Sequence, residues 1–216
     1  MTTAIQENLL KLHSKLNRMS ELVLEAVNES VDSLLDKDVE KAKRIKKGDK
    51  QINSIRWEIE EDCINLIATQ QPVASDLREL IALLYIITEL ERIGDYAAGI
   101  AKLTIVMGDE PHIKPLIDIP RMRDIAVEMI ESSMEAYIDK DERAARAIHI
   151  QDDAIDDLYK QVNRELISFM IENPSTITRC TYLVWIAHNI ERMGDRVTNI
   201  CERIIYLATG ERADDL

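Results

Sequence analysis

Glu91 and Asp95 stand four residues apart, and Glu191 and Asp195 repeat them a hundred residues later. On a helix that spacing is one turn, so each pair lies on one face. The face continues through Leu84, Ile87 and Ala98 in the first case, and through Val184 and Thr198 in the second. A third acid joins each pair from the preceding segment, Asp49 between Ile45 and Ile52, and Asp152 between Ile148 and Ile155. Carboxylates gathered on apolar stripes must take up protons, pair with arginines, accept capping N–H groups or hold a cation. Oxygen donors without sulfur suit a hard ion such as Mg²⁺, Mn²⁺, Ca²⁺ or iron. The competing outcome is ion pairing alone, with Arg92, Arg192, Arg78 and Arg179 on the same segments. Gly94 and Gly194 interrupt the two motifs, each costing ~1 kcal/mol against alanine in a helix interior. Another helix or a ligand must therefore come close to the backbone there.

Other residues carry less chemistry. His188 precedes Glu191 by three, but its counterpart is Thr88, and it reads as a satisfied core histidine. The order His-x-x-Glu is the reverse of the Glu-x-x-His of di-iron bundles, which disfavours an oxidase-type site. Trp57 and Trp185 read as packing residues, and Glu25 and Glu128 as solvated borders of their stripes. Gly-rich phosphate loops, nucleophile elbows and HExxH patterns are absent from the sequence. Lys41, Lys43, Arg44, Lys46 and Lys47 crowd five positive charges into seven residues. They form either a solvated helix face or a docking patch for an acidic partner or an anionic membrane surface.

The elements that must position these residues follow from a duplication. Met19, Glu25, Asp36-Lys37-Asp38, Asp49 and Ile52 recur 103 residues later, and the spacing shortens to 100 at the two Glu-Arg-x-Gly-Asp segments. Each copy reads as three helices. Apolar residues from Ile5 to Leu34 recur by threes and fours. A second helix follows the Asp-Lys-Asp turn and stops before Pro72, ~45 Å long. The third, capped by Ser75 or Asp76, is apolar on nearly every side to Leu103 and belongs at the middle of its bundle. The second copy predicts helices near 120–138, 142–172 and 176–208, closed by Gly210. The fold expected is all-α, with six long helices in two pseudo-symmetric antiparallel three-helix bundles. Gly108 and the Pro111, Pro115, Pro120 cluster divide the chain into 1–110 and 111–216.

Composition agrees. Among 216 residues there are only six glycines, five prolines and 4% aromatics, against 46% apolar and 31% charged, which excludes a turn-dense β architecture. A net charge of −13 makes nucleic acid an unfavourable partner. Cys63, Cys180 and Cys201 have neither disulfide nor thiolate-metal spacing. A signal-peptide pattern and a membrane-length apolar run are both lacking, so a cytoplasmic protein, peripheral to a membrane at most, is expected.

The segments Glu91-Arg92-Ile93-Gly94-Asp95 and Glu191-Arg192-Met193-Gly194-Asp195, with Asp76-Leu77-Arg78 before the first, resemble the PhoU family of phosphate-uptake regulators over about residues 5 to 210. The resemblance implies two three-helix bundles, homodimerisation and multinuclear metal sites on the motif carboxylates, with iron, zinc, manganese or magnesium as the metals. It also implies an adaptor between the ATPase subunit of a phosphate ABC transporter and a membrane sensor histidine kinase. Such an adaptor silences the starvation response when phosphate is plentiful, and is a regulator, not an enzyme. Tyr96 and Gly99 replace the His and Asn frequent in family motifs, and Ile177-Thr178-Arg179 replaces the Asp-Leu-Arg run, so equal metal occupancy of the two bundles is not implied. The alternative is a carboxylate-bridged metal bundle with enzymatic or storage activity; in a third reading the acids are simply paired to arginines in a plain helical scaffold.

Overall fold

A computed structural model describes residues 4–211. Its six helices are α1 (Ala4–Asp36), α2 (Val39–Gln70), α3 (Ala74–Met107), α4 (Asp118–Asp139), α5 (Glu142–Glu172) and α6 (Ile177–Thr209), with one 3-10 turn at Pro174–Thr176. The described residues contain no strand. The chain is all-α, built as two pseudo-symmetric three-helix bundles.

The repeated Asp-Lys-Asp segment makes the same turn twice. Lys37 and Lys140 take left-handed φ values of 56° and 52°. The aspartates after them cap the next helix: Asp38 accepts from the Lys41 N–H at 2.8 Å, and Asp141 from the N–H groups of Arg143 and Ala144 at 2.9 and 3.1 Å. Gly210 closes α6 with φ 77°, its N–H donating to the Tyr206 carbonyl at 2.9 Å. The cap expected from Ser75 or Asp76 is not made. Ala74 starts α3 with a left-handed φ of 41°, and the Asp76 N–H donates to the Val73 carbonyl at 3.0 Å, so the backbone closes this end without a side chain.

Helix α2 packs on α1 and α3, and α5 on α4 and α6. The halves join where α3 meets α6 and α1 meets α4. One row of helices therefore runs α2, α3, α6, α5, with α1 and α4 side by side behind it. A continuous apolar cluster passes through both halves, from Leu16 and Val23 through Leu83, Ile86 and Ile93 to Met129, Ile186 and Ile200. Helices α3 and α6 run antiparallel. Arg203 lies over the Tyr85 ring at 3.6 Å, Asn199 donates to Glu89 at 3.1 Å, and a Cβ at Gly99 would sit 3.1 Å from Asn189 Nδ2. That register puts its midpoint at residues 94 and 194, inside the two acidic motifs.

Two buried carboxylates fasten the halves together. Glu79 of α3 lies 3.0 Å from His13 Nε2 of α1 and accepts from Lys140 Nζ, beyond α4, at 2.6 Å. The His13 bond outweighs burial and, with Lys140, holds the Glu79 carboxyl down at about 2. Glu89 is 7% exposed and accepts from Arg92 at 3.2 Å on its own helix, and from Arg196 at 3.3 Å and Asn199 at 3.1 Å on α6.

The tryptophans are not packing residues. Trp57 is 61% exposed and Trp185 52%. The buried stripe of α2 runs through Ile52, Ile59, Cys63 and Leu66, and Trp57, two residues before Ile59, falls on the opposite side. Trp185 lies two residues after Leu183 and one before Ile186, off their buried stripe, with its ring 6.0 Å from that of Tyr182. Glu25 and Glu128 are exposed, as their border positions predict.

The Glu89 bridge yields a test of the joint. Glu89→Ala leaves Arg196 half-buried without its carboxylate, and is expected to lower stability to urea by about 2–3 kcal/mol. Equilibrium unfolding measures it; a loss below half a kilocalorie would show that apolar packing alone holds α3 to α6.

Candidate functional site

The motif glycines let the outer helices come close. A Cβ at Gly94 would lie 3.0 Å from Ile52 Cδ1 and 3.9 Å from Asp49 Oδ1. At Gly194 it would overlap the Asp152 carboxylate and sit 3.2 Å from Ile155 Cδ1. Of the two candidates for the close approach, the neighbouring helix is the one seen. It brings its own acid with it, so acids of two helices line each groove.

In the first groove Glu91 and Asp49 are half-buried, whereas Asp95, expected on an inward stripe, stands exposed at the solvent edge. Asp95 lies one turn beyond Glu91 on the side of α3 that no helix covers. Its charge still counts: burial pushes the carboxyls of Asp49 and Glu91 up, and repulsion from Asp95 pushes them further. Asp49 Oδ2 accepts from Asn53 at 3.2 Å, while its Oδ1 is buried without a hydrogen-bond partner. Arg56 opposes the charge on Glu91 across the groove, but is itself held by Glu60 at 3.3 Å and stacked 4.9 Å from the Trp57 ring.

The second groove is tighter. Glu191 is buried, and Asp152 and Asp195 are half-buried. Burial pushes the Asp152 carboxyl from 3.8 up to about 7, helped by the charges of Asp195, Asp156 and Glu191. The Glu191 carboxyl also rises through burial, against the pull of Arg192. Arg192 spans the motif, with Nε 3.0 Å from Glu191 Oε2 and Nη1 2.7 Å from Asp195 Oδ2. Its first-copy equivalent turns away, since Arg92 pairs with Glu89. His188 is not a core residue. Its half-exposed ring lies 5.9 Å from that of Tyr159, at the rim of the groove, with Nδ1 3.3 Å from Glu191 Oε2.

The structure thus brings Asp49, Glu91 and Asp95 into one groove, and Asp152, Glu191 and Asp195 into the other. Their all-oxygen donor sets, mutual repulsion and unpartnered Asp49 Oδ1 and Asp152 Oδ1 fit a hard cation in chemistry and charge. As placed, no three His, Cys, Asp or Glu side chains among the described residues are arranged to hold a metal ion. Of the basic segment, Lys41 is half-buried, and Lys43, Arg44, Lys46 and Lys47 are exposed. Sequence reasoning missed Glu89, whose signal was a mismatch between copies, a carboxylate where the second copy carries Asn189, and Asp156, one turn beyond Asp152.

The class of protein defined here is an all-helical duplication whose polar centre is a pair of interhelical carboxylate grooves. The PhoU domain matches the chain twice, over residues 16–104 and 119–204, and the chain belongs to the PhoU family. It is 38% identical to the phosphate-specific transport system accessory protein PhoU homolog of Aquifex aeolicus, over 90% of this chain and 88% of that one. Against the homolog of the same description from Clostridium acetobutylicum the identity is 38%, over 99% of each. The crystal structure of PhoU from Pseudomonas aeruginosa superposes with a TM-score of 0.90 at 32% identity, over 95% of this chain and 99% of that one. The phosphate transport system regulatory protein PhoU from Streptococcus pneumoniae gives a TM-score of 0.91 at 31% identity, over 97% and 99%. Among the described residues no helix is long and apolar enough to cross a membrane.

The raised Asp152 carboxyl has a definite sign. A group that binds its proton more tightly folded than unfolded makes the fold more stable as pH falls from about 7 towards 3.8. In chelated buffer Asp152→Asn is expected to be more stable than wild type at neutral pH by about 2 kcal/mol, and flatter between pH 7 and 4. Urea midpoints over that range measure it; parallel profiles for the two proteins would refute a titrating Asp152.

Proposed function

We propose that this chain is the accessory regulator of a phosphate-specific transport system. In this reading it is a cytoplasmic homodimer that couples the transporter's ATPase subunit to a sensor histidine kinase, and silences the starvation response when phosphate is plentiful. The observation that carries the reading is the extent of the match. Both copies belong to the family, and relatives described as phosphate-specific transport accessory proteins cover the chain almost end to end. The activity is read as one of surfaces, without turnover.

The grooves are assigned to hard divalent cations, held by Asp49, Glu91 and Asp95 on one side and Asp152, Glu191 and Asp195 on the other. A bound cation supplies positive charge between two helices that otherwise repel through their carboxylates. Arg192 already lends the second groove part of that charge, so the first groove is the stronger cation site. Ion pairing without metal thus describes the second copy better than the first.

Two experiments test the reading. Affinity capture from phosphate-replete and phosphate-starved cells is expected to recover the ATPase subunit and the kinase under the replete condition. Recovery of neither, in either condition, rejects the adaptor. Elemental analysis of protein purified without chelator or tag is expected to find divalent metal, and Asp49→Asn with Glu91→Gln to remove more of it than Asp152→Asn with Glu191→Gln. Metal-free wild type, or the opposite ranking, rejects the cation assignment.

A further inference from the structure

Among the described residues helix α2 touches only α1 and α3, so its far side is an edge of the described fold. Along that edge Lys43, Lys50, Trp57 and Ile64 recur at seven-residue intervals, which places them on one line of the helix about 30 Å long. All four are exposed, Trp57 by 61% and Ile64 by 55%. Lys46 and Lys47 flank the line and are exposed as well. Several acids of the same helix are engaged elsewhere. Glu58 and Asp62 hold Lys15 at 3.4 and 2.8 Å, and Glu60 holds Arg56 at 3.3 Å. Glu40 holds Lys43 at 2.7 Å, and Glu61 stands on the line between Trp57 and Ile64.

The duplication supplies a control. The equivalent line of α5, the matching outer helix, reads Arg146, Asp153, Lys160 and Ile167, and His149 and Ile150 stand where Lys46 and Lys47 do. The same helix in the same packing position therefore tolerates a mixed line, and the fold does not demand the cations and tryptophan of α2. Cations set in line with an outward tryptophan and an outward aliphatic residue are the pattern of a helix lying at a bilayer surface. An acidic protein would be met by the lysines alone, leaving Trp57 and Ile64 unexplained.

We propose that this edge of α2 seats on an anionic lipid bilayer, with Lys46, Lys47 and Lys50 at the headgroup phosphates and Trp57 and Ile64 in the interfacial layer. The net charge of −13 repels the remaining surface from the same membrane, so only this edge approaches.

The test is sedimentation of the full chain with vesicles of phosphatidylcholine, with and without phosphatidylglycerol, at low and raised salt. Binding is expected only with phosphatidylglycerol, weakening as salt rises. Neutralising each lysine weakens partition about fivefold, so Lys46→Gln, Lys47→Gln and Lys50→Gln together weaken it about a hundredfold. Lys160→Gln on α5 leaves it unchanged. With Trp185→Phe removing the other tryptophan, the emission of Trp57 shifts to the blue on anionic vesicles. Absence of binding to phosphatidylglycerol vesicles, or equal binding by the triple variant, overturns the proposal. Binding to an acidic polypeptide such as polyglutamate, with none to vesicles, overturns it too and assigns the lysines to a protein partner.

Discussion

Helices α3 and α6 are apolar over most of their girth, and such a helix is stable only when covered on several sides. Each is flanked by one outer helix, backed by another and closed by its twin, and that requirement fixes the arrangement of the six. It also fixes where chemistry can occur. Among the described residues only one narrow strip of α3 remains uncovered, running through Ile81, Tyr85, Arg92, Asp95 and Lys102, and every polar group of the motif lies on that strip or at its margin. Glu91 and Glu191 sit where the strip meets the outer helix, close enough to the core for burial to raise their carboxyls.

The grooves depend on a second constraint nested within the first. An alanine at 94 or 194 would meet an isoleucine and an aspartate of the facing helix. The absent side chains are what allow α2 and α5 to approach, and Asp49 and Asp152 arrive with them. The conformational cost of glycine within a helix is thus offset by contact between helices, and the carboxylate grouping comes with that contact.

Much of this was legible in the sequence because it was written twice. The repeated Asp-Lys-Asp turns, the prolines and the paired glycines act locally or through helical period, and both are visible along the chain. What was not legible depended on which side of a helix is covered. Trp57 sits among apolar residues of α2 but two positions off their stripe, and only the placement of α1 and α3 shows that it faces out. Asp95 shares a turn with Glu91, yet solvent begins between them. Ser75 and Asp76 have the chemistry of caps, but the turn after Pro72 closes through the backbone before either is needed.

Differences between the copies carry information that the similarities cannot. Glu89 and Asn189 occupy equivalent positions at the α3–α6 joint, and this single difference propagates to the grooves. Glu89 draws Arg92 away from its own motif while also holding Arg196 from the other half. Asn189 has no charge with which to draw Arg192, which instead bridges Glu191 and Asp195. The first groove is left with Arg56, across the gap and tied to Glu60, as the larger opposing charge on Glu91, and with Lys102 opposing Asp49. Proton, guanidinium and cation are alternative means of neutralising the same group of carboxylates. The duplicated fold makes the two grooves alike in shape, and one buried carboxylate at their shared joint makes them unlike in charge.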